Sequence, residues 1–342
     1  MQLLRSKLRS ATWLALALAF VAADAASAAG LKWKFKQGDK MDYALRQKAD
    51  ILIDANGVEF DIKVAQTMDL KWDVKSVAAD GTVELTQKVD RVQLKMSTPF
   101  TGEFVYDSKD EANAPTGEIW DRMGGPIKAL VGGEFQIKLK PNGQVEEIKL
   151  PEKLVELLGE SKGGGAQSMM MGGGLFTESA IKQVIEQSIL TLPDSDIADG
   201  GTWNKKIENK LGPIGTQKFD TTLTYQGVEK KDGLELAKIG TKTEMAFEPN
   251  ADSDVDIEME VTEQEGNGTV LFDTKAGRVV ESSNVQKMTL EGDFMGNEFA
   301  QEITLTLLLK QGSSDNLPKE EEPKSEGDAP AGEEKAAETK DK

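Results

Sequence analysis

From Val58 to Val74 nearly every even position is apolar, from Val58, Phe60 and Ile62 through Leu70, Trp72 and Val74. The intervening odd positions are mostly charged or polar. Period-two alternation of this kind describes a strand with one buried and one wet face. Seventeen residues at ~3.3 Å each would span ~56 Å, so a strand of this length in a compact domain must coil or bend. Met41–Ile53 precedes it across Asn56-Gly57, a strong hairpin signal. Thr82–Met96 follows, and its apolar phase slips from Val83, Leu85 and Val89 to Val92, Leu94 and Met96, which predicts a bulge near Asp90-Arg91.

The middle of the chain changes period. Ile119, Trp120, Met123, Ile127, Leu130 and Val131 have helical spacing, broken by Gly124-Gly125-Pro126. A hairpin over Glu134–Leu150 turns at Asn142-Gly143, and Pro151 opens a short helix through Leu158. Thr177 caps a further helix whose inner stripe is Ile181, Val184, Ile185, Ser188 and Ile189. From Trp203 onward strands return: Lys218–Tyr225, Leu234–Phe247, Asp254–Thr262, Thr269–Asp273, Arg278–Val285, Lys287–Glu291 and Ala300–Leu309. The fold class expected is α+β, mainly antiparallel β. A large, strongly curved, half-barrel-like sheet carries a few helices on its concave face.

The ends read differently from the body. Arg5, Lys7 and Arg9 precede the apolar stretch 11–23, and Ala26-Ser27-Ala28 follows, which is the pattern of a signal peptide over residues 1–28. Residues 312–342 carry ten acidic residues and five lysines with a single large aliphatic, Leu317, the composition of a disordered acidic tail. Between them, 30–311 reads as one β-rich domain with a helical interlude over 118–190 and a flexible Gly/Met segment over 163–174. The expectation is an exported protein, periplasmic or secreted, with no membrane span after signal cleavage and a monomeric state.

Composition narrows the chemistry. The 342 residues contain no histidine and no cysteine, which removes Ser–His and Cys–His catalysis, disulfides and the common zinc, haem and copper sites. A net charge of −18 disfavours nucleic acid and anionic membrane surfaces. Ser179-x-x-Lys182 lacks the companion motifs of Ser–Lys enzymes, and no local motif marks a glycosidase carboxylate pair. No catalytic residue, no cofactor and no enzyme activity are expected.

Two acidic groups are calcium candidates. Asp252, Asp254 and Asp256 open like a calcium loop, yet Ile257 stands where such a loop needs glycine, and the alternation reads as a solvated strand face. Asp194, Asp196 and Asp199 lie in a loop ending Gly200-Gly201, where turn-making is the plainer role. Met169, Met170 and Met171, flanked by glycine triplets, have the composition of a lid over an apolar cavity; a flexible linker is the alternative.

Several short motifs follow one another in order along the chain. They are Leu31-x-Trp33-x-Phe35-x-x-Gly38-Asp39, Tyr106-Asp107-Ser108, Leu192-Pro193, Gly200-Gly201-Thr202-Trp203, and Phe272-Asp273 before Gly277-Arg278-Val279-Val280-Glu281-Ser282. On these residues the chain resembles a family of uncharacterised, exported, β-rich proteins of planctomycete bacteria. The resemblance implies a compartment and a shared fold, and no site residues. In architecture the expected sheet is similar to that of periplasmic half-barrel lipid carriers. The functional expectation is a non-enzymatic binding or carrier protein with an apolar cavity between sheet and helices, its partner an unknown apolar ligand or envelope component. The alternative is a cell-envelope structural or interaction protein with an acidic surface for cations or partners.

Overall fold

The computed structural model describes residues 29–99, 102–160, 177–211, 215–250, 257–294 and 296–318. Twelve strands form a single open antiparallel sheet. They are β1 (Lys40–Ala55), β2 (Val58–Val77), β3 (Val83–Thr98), β4 (Gly102–Asp107), β5 (Glu134–Leu139), β6 (Val145–Lys149), β7 (Thr202–Lys210), β8 (Gly215–Lys231), β9 (Leu234–Pro249), β10 (Ile257–Asp273), β11 (Arg278–Phe294) and β12 (Asn297–Gln311). Among the described residues three α-helices are interposed: α1 (Glu118–Leu130), α2 (Glu152–Glu160) and α3 (Glu178–Ser188).

The sheet order is β6-β5-β3-β2-β1-β12-β11-β10-β9-β8-β7, with β4 beside β3. The first and last strands therefore pair at the centre, from Tyr43↔Gln311 to Ala55↔Phe299, and the chain builds one wing outward and the other inward. Curvature follows from strand spacing. β3 and β8 are seven strand steps apart, which in a flat sheet is ~34 Å at ~4.8 Å per step. Yet Gln87 of β3 and Gln217 of β8 line the same cavity. The sheet must wrap round to bring them together.

The bulge expected near Asp90-Arg91 is present. Asp69 pairs Arg91 and Leu70 pairs Val89, leaving Asp90 as the extra residue. It keeps Val83, Leu85 and Val89 on the same buried face as Val92, Leu94 and Met96.

Three expectations need correction. The Gly124-Gly125-Pro126 break does not occur, and α1 runs through it with Pro126 inside. Proline removes one i to i−4 hydrogen bond, but burial of Trp120, Ile127 and Leu130 holds the helix on the core. Gly124 is required by the neighbour it packs on, since a Cβ there would lie 2.7 Å from Trp120 Cε2. The predicted gap between strands at Thr262 and Thr269 is absent too: β10 is continuous, with a bulge between Val261 and Glu263. Its glycines are sites of close approach, since a Cβ at Gly266 would sit 2.4 Å from the Thr243 carbonyl oxygen. Likewise Arg278–Val285 and Lys287–Glu291 are parts of the one strand β11.

One apolar core joins the two wings, with Tyr43, Trp72 and Phe135 from one and Leu223, Ile239 and Phe272 from the other. Trp33 ties the N-terminal segment into it. Its ring stacks on Phe35 at 4.9 Å and meets Phe272 edge-on at 5.5 Å, and its Nε1 donates to the Leu190 carbonyl oxygen over 3.0 Å. Among the described residues, no helix is long and apolar enough to cross a membrane.

Candidate functional site

The inward phase of the strands meets α3 across a cavity of about 350 Å³, within the roughly 300–1,000 Å³ typical of small-molecule pockets. Its floor is laid by alternation alone. Leu45, Ala49 and Ile51 on β1, Val64 and Met68 on β2, and Ile303 and Leu305 on β12 all point inward because each strand shows every second side chain to that face. Its cover is α3, which presents Ile181, Val184 and Ile185.

The position of α3 is fixed at both ends. Thr177 Oγ1 accepts from the Ala180 amide over 3.1 Å, satisfying a free N-terminal donor. At the other end Lys205 Nζ donates to the Glu186 and Ile189 carbonyl oxygens over 2.5 and 2.7 Å. A cation there also opposes the negative end of the helix dipole. Midway, Asn209 Nδ2 donates to Gln183 Oε1 over 2.8 Å. Burial pushes the Lys205 ammonium down to about 8, while the neighbouring Glu186 carboxylate acts in the opposite sense. Burial in turn raises the Glu186 carboxyl above its ordinary value.

None of the described residues lining the main cavity is charged, although charged residues make up 29% of the chain. Its polar groups are amides and hydroxyls, among them Gln47, Gln66, Gln87 and Gln301. Gln87 Oε1 accepts from the buried Trp72 indole over 2.8 Å. A smaller chamber of about 100 Å³ adjoins the main one, sharing Gln47, Val184, Gln187, Ser188 and Leu305 with it. That chamber is lined by Thr221, Thr241, Thr243, Asn284 and Gln286 as well as by aliphatic residues.

Of the calcium candidates, Asp194, Asp196 and Asp199 fall among the described residues. Asp194 Oδ1 accepts from Asn142 Nδ2 over 2.9 Å, and with Asp196 it lines a surface cleft beside Trp203. Asp199 lies instead beside the Gly227 turn. Among the described residues, no group of three or more carboxylates is placed to hold a metal ion. Asp252, Asp254 and Asp256, and Met169, Met170 and Met171, lie outside the described residues.

Sequence reasoning passed over Lys205 and Gln286. Lys205 had a signal: Trp203, Lys205, Ile207 and Asn209 are the inward phase of β7, so a lysine there needs a partner inside. Gln286 had a weaker one, lying between Asn284 and Met288 on the inner face of β11.

Three of the ordered motifs turn out to be joints. Asp107 grips Arg91 through Oδ1–Nε at 3.0 Å and Oδ2–Nη2 at 2.5 Å, and Ser108 Oγ accepts from the Val92 amide over 3.0 Å. Trp203 Nε1 donates to the Thr191 carbonyl oxygen over 2.8 Å. Asp273 Oδ1 accepts from the Lys275 and Ala276 amides at the β10–β11 turn. Each fixes a turn or a crossing between elements.

No curated protein matches the chain. Among solved structures, one addressing lipid–protein interactions in lipovitellin overlaps 84% of this chain at a TM-score of 0.42 and 12% identity. The chain spans 27% of that protein's length. The COG4313 outer membrane channel of Pseudomonas putida F1 overlaps 83% of this chain and 99% of its own at a TM-score of 0.23 and 7% identity. DynF of the dynemicin pathway of Micromonospora chersina gives 85% and 90% at a TM-score of 0.22 and 7% identity. None of these overlaps is close enough to assign a function. A family model matches residues 80–279, more than half of the chain, and on that match the protein belongs to the family of unknown function DUF6263.

Proposed function

We propose that this is an exported, non-enzymatic binding or carrier protein whose apolar ligand sits between the curved sheet and α3. The observation that carries the proposal is a cavity of about 350 Å³ whose described lining is uncharged, inside a chain of net charge −18. Aliphatic and methionine side chains make most of its wall, so an apolar ligand would be removed from water at ~25 cal/mol per Å² of its surface. Among the described residues the cavity wall offers no general acid, base or carboxylate nucleophile, which supports a holding role over a chemical one. Export rests on the N-terminal basic–apolar–small pattern.

The experiment is uptake of an environment-sensitive apolar dye, N-phenyl-1-naphthylamine, by the wild type and by Ala49→Leu. Ala49 is 2% exposed and lines the cavity, so leucine there takes ligand space without removing a contact. Saturable fluorescence in the wild type, weakened at least tenfold in Ala49→Leu with the fold retained, is expected. Equal uptake by both proteins, or none by the wild type, would overturn the reading.

A further inference from the structure

The small chamber beside the main cavity contains a buried donor with nothing to donate to. Gln286 is 6% exposed, and its Nε2 has no hydrogen-bond partner among the described residues. Buried polar groups are paired in the great majority of cases, and leaving one unpaired is costly. Gln286 lines the chamber together with Thr221, Thr241, Thr243 and Asn284. Some of these neighbours are already committed to each other: the Thr221 and Thr243 hydroxyls bond over 2.9 Å, and Asn284 Nδ2 donates to Thr241 Oγ1 over 3.3 Å. The Gln286 amide N–H pair is left unpaired at the wall of a space of about 100 Å³ that shares five lining residues with the apolar space of about 350 Å³.

From this geometry, and resting on the carrier reading, we propose that the ligand is an amphiphile whose apolar body fills the main cavity and whose uncharged acceptor oxygen enters the small chamber to take the Gln286 Nε2 hydrogen bond. An ester, ketone or amide oxygen fits this description. At the roughly 30 Å³ per heavy atom of liquid water, the main cavity holds on the order of a dozen carbon atoms.

A carboxylate head fits poorly. Among the described residues the one charged side chain at the small chamber is Lys205, and its ammonium is engaged by two carbonyl oxygens at the end of α3 and faces the Glu186 carboxylate. A second carboxylate brought there would be desolvated without a cation of its own. An alkane would enter the main cavity and leave the Gln286 donor unpaired.

The test is competition against the bound dye by methyl decanoate, undecane and decanoate, in the wild type and in Gln286→Met. The wild type is expected to bind the ester about tenfold more tightly than the alkane, and decanoate more weakly than the ester. In Gln286→Met the ester's advantage over the alkane should fall to within about twofold. Equal binding of ester and alkane by the wild type would overturn the proposal while leaving the carrier reading intact, and this comparison needs no variant. Tighter binding of decanoate than of the ester would overturn the uncharged head. Failure of all three to displace the dye overturns the proposal, and the carrier reading fails with it only where the wild type also takes up no dye.

Discussion

Lys205 on β7 donates to the carbonyl oxygen of Ile189, one residue beyond the end of α3, over 2.7 Å. The contact joins the edge strand of the sheet to the helix covering the cavity, and its chemistry depends on pH. Burial lowers the Lys205 ammonium to about 8, against ~10.4 for a free lysine. Below pH 8 the folded and unfolded chains both hold the proton. Between about 8 and 10.4 the unfolded chain binds more protons, so this group makes stability rise with pH, by up to ~1.4 kcal/mol per pH unit. Urea unfolding between pH 7.5 and 9.5 should show the wild type gaining ~1–2 kcal/mol over that interval relative to Lys205→Met. Identical slopes in the two proteins would remove the buried charge.

Asp107 also contributes stability that grows with pH, but because its charged form is favoured in the fold rather than penalised. Its bidentate grip on Arg91, aided by the Lys109 amide and Gln93, holds its carboxyl down to about 2. The stabilisation is fully present above the ordinary aspartate value near ~3.9 and is lost as pH falls through 2, amounting to about 2 kcal/mol. Asp107→Asn should therefore be less stable by about that amount at pH 7. The deficit should shrink steadily between pH 4 and 2 in acid titrations followed by circular dichroism. A deficit that stayed constant to pH 2 would mean that the ion pair is not its source.

Gln87 links stability to the cavity wall. Its Oε1 accepts from the fully buried Trp72 indole, and its side chain also lines the cavity. Gln87→Leu leaves that N–H unpaired and should cost ~1–3 kcal/mol in unfolding free energy. It also makes the wall more apolar, so dye binding should hold or tighten. Weaker binding by a folded Gln87→Leu protein would show that the glutamine faces the ligand with its polar end.

Strand alternation made the sheet legible, and even the bulge at Asp90, because period-two patterning responds to which face is buried. The pairing of β1 with β12 was not legible. The two are far apart in sequence, and nothing local distinguishes a central strand from an edge one. α1 was misread at Gly124-Gly125-Pro126, where local propensity lost to the burial of Trp120 and Ile127. The cavity was foreseeable as a class of feature, since curvature follows from strand length. Its annex was not, because what leaves Gln286 unpaired is the set of neighbours brought to it by β8, β9 and its own strand β11. Lys205 shows the middle case: its inward phase could be read, but the helix end it binds could not.

Two glycines with nearly the same backbone separate strain from packing. Gly57 (φ 80°) and Gly143 (φ 85°) both sit in left-handed turns, where an L-residue costs ~1–2 kcal/mol. Nothing lies within 4 Å of a Cβ added at Gly57. At Gly143 a Cβ would fall on the Trp33 Nε1–Leu190 hydrogen bond that pins the N-terminal segment to the tail of α3. Gly57→Ala should then cost about 1 kcal/mol, while Gly143→Ala should cost several, because the hairpin must move off Trp33 or break that bond. Thermal unfolding of the two variants, with Trp33→Phe/Gly143→Ala as the coupling control, measures the difference. Relief of part of the Gly143→Ala penalty by the smaller ring would place it on the indole. Equal costs at the two glycines would mean that the hairpin is free to shift, and that the β5–β6 turn is not a fixed support for α3.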